Sequence, residues 1–239
     1  MDLGEIRTAF DLAGNQPERI RRIRDQKIGQ IVSDETTVPL VAGARILLLV
    51  IPLSALSDPT QIDPSLITEQ QNCFNPIYGL GDRRFNIDGF LTTSNYREDR
   101  QRFDGYCQVF RSGIVEAVDV RLLGESQQIR SLEFEREVFR AVRRYSDGLR
   151  QLGLLPPLFV HVSVIGANGY ELIVQPQYHR FDPPTVDRNI VLLPEVILTD
   201  FAGNLAATMQ PVFDALWNAG GFPRSMNYDE NGEWNVSAD

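Results

Sequence analysis

Lysine is nearly missing from this chain: 22 of its 23 basic residues are arginine, and Lys27 stands alone. A GC-rich genome would spell its cations this way, but guanidinium forks also suit planar recognition of phosphates and carboxylates. Cysteine and histidine are scarce, at two each, so no quartet is available for a structural zinc. Cys73 and Cys107, far apart in the chain, fit a reducing compartment. The apolar run from Ala44 to Leu53 is much too short to cross a bilayer, and no charged-then-apolar leader opens the chain. These absences lead us to expect a soluble, cytoplasmic protein with no membrane contact. Phosphate-cradling loops are also lacking; "GLGDRR" at Gly79 to Arg84 has one glycine pair and no helix after it, and no cofactor is expected. The net charge of −9 argues against wholesale wrapping of DNA, so any nucleic-acid contact must be local.

What is present is a globular composition, 43% hydrophobic and 23% charged over 239 residues, enough for one sizeable core. The pattern predicts an α+β fold, mainly an antiparallel sheet built from hairpins, with an N-terminal amphipathic helix, a long central helix and a C-terminal helix. It divides the chain into a helical docking segment over 1–40 and one α+β domain over 41–239, with a long irregular connection at 54–83.

In "ERIRRIRDQKIGQIV", Ile20, Ile23, Ile28 and Ile31 share an arc of about 140° on a helix. Residues 18–32 are therefore expected to form a docking element, with a protein partner as its target. Arg24 and Lys27 fall inside that arc, where they must snorkel or meet an acid, whereas Arg21 and Arg22 are left to reach outward. "ARILLLVIPL" reads as a strand buried on both faces. "RFNIDGFLTTS" reads as a further strand and "GYCQVFRSGIVEAVDVRLL" as a hairpin turned at Arg111 to Gly113. The clearest helix repeats Phe134, Val138, Val142, Tyr145, Leu149 and Leu152 at spacings of three and four. "LFVHVSVIGANGYELIV" suggests a second hairpin turned at Asn168-Gly169. Leu205 to Trp217 form the last helix, which either kinks or begins at Pro211.

Two chemistries compete for these residues. On the central helix Arg136, Arg140, Arg143 and Arg150 share an arc of about 80° away from the apolar stripe, and could meet a phosphate backbone or an acidic partner. The rival is a metal-dependent hydrolase built from His161, His179 and Asp182, although no known ligand spacing is met. Ser163 shares a strand face with His161, but two residues of rise set their Cβ atoms about 6.5–7 Å apart, too far for nucleophilic activation.

The ordered set "ERIRRIRDQKIGQIVSDETTVPL", "ILLLVIPLSAL", "RFNIDGF", "GYCQVFRSGIVEAV" and "PPLFVHVSVIGANGY" resembles the C-terminal region of bacterial proteins whose N-terminal half is a Schlafen-type, AlbA-like ATP- or DNA-binding domain. That half is absent from this chain. The resemblance implies a non-enzymatic binding or regulatory module acting beside a nucleotide- or nucleic-acid-handling partner, in bacterial defence or regulation. Such proteins often carry a histidine in the strand before "IPL", where this chain has Leu49. The resemblance supplies no catalytic residue.

Overall fold

Six aliphatic residues in succession, Ile46 to Ile51, can be satisfied only if both faces of their strand are covered, and all six are buried. The computed structural model describes residues 3–57, 62–99, 101–124, 126–178 and 181–234, for 3–15 the backbone alone. Helix α1 (Leu3–Val32) leads to strand β1 (Arg45–Pro52), then to short helices α2 (Ser54–Ser57) and α3 (Ile67–Gln70). Strands β2 (Arg83–Asn86), β3 (Gly89–Thr93), β4 (Tyr96–Arg97), β5 (Arg102–Phe103), β6 (Gly105–Phe110), β7 (Val115–Asp119) and β8 (Gln128–Arg130) follow. The chain continues through α4 (Ser131–Gln151), β9 (Leu158–Ile165), β10 (Glu171–Ile173), β11 (Ile190–Leu192), β12 (Val196–Leu198) and α5 (Leu205–Ala219).

The fold is α+β, as its sequence predicts. Its main sheet runs β11-β9-β1-β7-β6-β3-β2, with β12 pairing the other half of β9, and every pairing in it is antiparallel. Alternation along β1 divides the core. Ile46, Leu48 and Val50 face α4 and α5, meeting Phe134, Val138, Tyr145, Phe213 and Trp217. Leu47, Leu49 and Ile51 face the opposite way, toward Ile20, Ile28 and Ile31 of α1. Among the described residues no helix is long and apolar enough to cross a membrane.

The apolar arc of residues 18–32 therefore docks on the chain's own sheet. A partner meeting α1 would meet its other, charged side, where Arg21 and Arg22 are both exposed. Lys27 finds its acid: its Nζ lies 2.9 Å from Glu116 Oε2, and also sits over the Phe110 ring, 4.1 Å from the centroid. Tyr106 Oη donates to Glu116 Oε1 at 2.6 Å. Arg24 instead pairs with its neighbour Asp25, at 2.8 Å. Removing one partner of a buried pair strands the other's charge, so Lys27→Ala is expected to cost about 3 kcal/mol. Lys27→Met combined with Glu116→Gln should recover most of that loss in urea unfolding. An unchanged midpoint for the single variant would deny the pair any part in holding α1.

Two local expectations are revised, and one left open is decided. "RFNIDGFLTTS" is a hairpin rather than one strand: β2 and β3 turn at Ile87 and Asp88, where Asn86 Oδ1 accepts from the Asp88 and Gly89 amides at 3.1 and 2.8 Å. "LFVHVSVIGANGYELIV" is not a hairpin, because β10 leaves β9 to pair in parallel with β8. The last helix runs through Pro211 and begins at Leu205, after Asn204, whose side chain caps the Ala207 amide at 3.1 Å.

The described residues of the 54–83 connection are anchored by core side chains, with Ile67, Phe74 and Ile77 buried. Gly148 of α4 permits this approach: a Cβ there would stand 2.5 Å from Phe74 Cζ and 2.8 Å from Cys73 Cβ.

Candidate anion-binding surface

The apolar stripe of α4 is consumed by the core, which turns the opposite side of the helix outward. Arg140, Arg143 and Arg150 are exposed there and Arg136 is half-buried. Arg140 pairs with Glu137 one turn back, at 3.1 Å, and the Arg150 guanidinium lies over the Phe201 ring at 5.6 Å from its centroid. Arg143 opens with Ser146 and Asp147 onto a cavity of about 90 Å³ closed by Asp200, Phe201 and Thr208. Arg21 and Arg22 belong to α1, across the sheet, so the two arginine groups form separate surfaces.

Beyond the amino end of α4 the surface continues as a trough. Arg136, Arg130, Ser131, Tyr78 and Gln175 help line a cavity of about 480 Å³. Arg130 also lines a second, of about 280 Å³, with Arg121, Gly124 and Gln128. Arg121 and Gly124 in turn line a third, of about 340 Å³, with Arg97 and Asp104. These shared walls join Arg97, Arg121 and Arg130 to the arginines of α4. Ion pairs hold some of them: Arg97 to Asp104 at 2.9 Å and Arg130 to Glu133 at 3.5 Å. The Arg121 guanidinium rests over the Tyr78 ring at 4.7 Å. Among the described residues Arg136 and Arg143 have no carboxylate partner, and the buried Nε of Arg136 has no acceptor. Arg97, Arg121 and Arg130 come from separate strands and loops. No spacing in the sequence joins them, and only their common arginine identity hints at the set.

At the far end of the trough two acids crowd together. Asp104 and Asp119 are both buried, and each keeps an Oδ2 without a partner among the described residues. Register places Asp119 opposite Gly105, and a Cβ there would come within 3.2 Å of Asp119 Oδ2. Burial, reinforced by the Asp104 charge, pushes the Asp119 carboxyl up to about 7, while the Leu122 and Arg121 amides pull it back. Asp104 lines the cavity and is held by Arg97.

Of the rival hydrolase residues the structure describes His161 and Asp182, and it places them in different surroundings. His161 is 1% exposed, sealed beneath α1. Its Nε2 comes to 3.2 Å from Glu195 Oε2, yet neither ring nitrogen is aligned for a hydrogen bond. Burial, then the charge of Arg24, pushes the imidazole down to about 4, so it is neutral near pH 7. Ser163 Oγ shares that face, buried and without a partner. Asp182 is exposed on the surface, and His179 lies outside the described residues. Among the described residues no three His, Cys, Asp or Glu side chains converge as metal ligands would.

Comparison with protein-family models, curated proteins and solved structures finds no match.

Proposed function

We propose that this chain is a non-enzymatic binding module that grips the phosphates of a single-stranded nucleic acid along the outer side of α4. It would serve a nucleotide- or nucleic-acid-handling partner, as the resemblance to Schlafen-associated C-terminal regions suggests. The observation that carries the reading is the arginine track itself. Arg136, Arg140, Arg143 and Arg150 span about 21 Å of helix at 1.5 Å per residue, and shared cavity walls extend the track through Arg130 and Arg121 to Arg97. Guanidinia spaced in this way suit a phosphate backbone better than a compact metabolite. Interspersed Glu133, Glu137 and Asp147 limit the field, in keeping with a local contact on an acidic protein. Against a catalytic reading, His161 is sealed from substrate by α1.

Fluorescence anisotropy with a labelled single-stranded oligonucleotide tests this. Affinity should fall steeply between about 50 and 200 mM salt. Arg140→Glu combined with Arg143→Glu should weaken binding by more than about tenfold and flatten the logarithmic salt slope by about 1.4, the loss of two phosphate contacts. Binding that ignores salt, or that survives the double variant unchanged, would overturn the proposal.

A further inference from the structure

The cavity at the amino end of α4 has more donors than the acceptors among the described residues can answer. The helix is 21 residues long, so its first turn carries a substantial positive end, and Arg130 stands at the N-cap without a side-chain hydrogen bond to that turn. Ser131 is 1% exposed, and this cavity-lining residue keeps an Oγ with no partner among the described residues. Arg136 lies five residues on, and helical side chains lean back toward the N-terminus, over this cavity. Its Nε is buried without an acceptor among the described residues. The two carboxylates on the rim are already engaged, Glu133 by Arg130 and Glu137 by Arg140.

We propose that this cavity is a phosphate-monoester site, with Ser131 Oγ, the first-turn amides and the guanidinia of Arg130 and Arg136 as its donors. It takes the terminal phosphate of the strand that, on the reading above, runs along α4. A monoester phosphate offers three terminal oxygens to donors arriving from several directions, whereas a bridging phosphodiester offers two and must leave the cavity at both ends. At about 480 Å³ the cavity is larger than a phosphate alone needs. Leu132, Ile173 and Val174 form an apolar wall that suits the sugar or base carrying it.

Two experiments on the whole chain test the site. Titrating inorganic phosphate at constant ionic strength, against chloride, should give saturable amide shifts centred on Ser131 to Phe134. Arg136→Gln should weaken that binding about tenfold and Ser131→Ala several-fold, with unchanged melting. Glu133→Gln, which removes a rim charge, should tighten it. Absence of saturable shifts would overturn the site.

A 5′-phosphorylated oligonucleotide should then bind about tenfold more tightly than the 5′-hydroxyl strand, and Arg136→Gln should erase the difference. Phosphate binding with equal affinity for both strands would overturn the assignment to a strand end and leave a free phosphate ester as the ligand. The Arg140 and Arg143 measurement reads the track independently, so failure of the one is distinguishable from failure of the other.

Discussion

Glu135→Ala is expected to lower the stability of the fold by on the order of 4 kcal/mol, because it strands several buried donors at once and opens a void. The carboxylate is fully buried on α4. Its Oε1 accepts from Trp217 Nε1 at 2.6 Å and from Ser225 Oγ at 2.7 Å; its Oε2 accepts from Trp234 Nε1 at 2.9 Å. One side chain thus clasps α4 to α5 and to the segment that follows, where Trp234 also stacks on Phe139 at 5.5 Å. Burial raises the Glu135 carboxyl above its ordinary range, and the hydrogen bonds from Trp234, Ser225 and Trp217 pull it back. Glu135→Gln keeps an acceptor for Trp217 and Ser225 but turns an amide N–H toward Trp234, so its loss should be smaller, about 1–2 kcal/mol. The chain's two tryptophans are both partners of this carboxylate, so their fluorescence in urea reads the transition directly. A midpoint for Glu135→Ala matching that of wild type would refute the clasp.

Asp119→Asn should stabilise the protein above neutral pH and leave it unchanged in acid. The folded carboxyl is raised from 3.8 to about 7. Below about pH 4 it is protonated in folded and unfolded chains alike, and its contribution to stability is complete. As pH rises toward about 7 the unfolded chain releases this proton first, and the contribution drains away. A displacement of about three pH units corresponds to on the order of 4 kcal/mol. The substituted amide would stay neutral, keep an oxygen for the Leu122 amide now bonded at 2.9 Å, and offer an N–H toward the unpartnered Asp104 oxygen. Asp34, whose carboxyl Arg45 pulls down by hydrogen bonding, works in the opposite sense, so the informative quantity is the difference between variant and wild type. Parallel stability curves from about pH 4 to about pH 8 would show that Asp119 ionises freely.

Periodicity made α4 and α1 legible, because an amphipathic helix writes its buried side every three or four residues. The unbroken aliphatic run of β1 was equally plain. Lys27 inside the α1 apolar arc announced that it must snorkel or meet an acid, and only the sheet decides for the acid, Glu116. The departure at β10 has a definite cause. Asn168-Gly169 has the composition of a hairpin turn, yet the Gly169 amide bonds to Val186 O and the Glu171 amide to Gln127 O, both far along the chain. Local chemistry sets a turn; distant partners decide which strand follows it. The same limit hid the trough: Arg136 was visible on its helix, whereas Arg97, Arg121 and Arg130 converge only through the pairing of β4, β7 and β8 with other strands.

At one margin of the sheet, β9 shares its outer side between β11 and β12, three residues each, with Pro194 between them. At the other margin β2 is four residues long and begins with Arg83 and Arg84. Neither border offers an incoming chain a long ladder of free amides, and the second repels a copy of itself. A broad eight-stranded sheet is thereby kept from growing into a fibre by the shortness of its own hem.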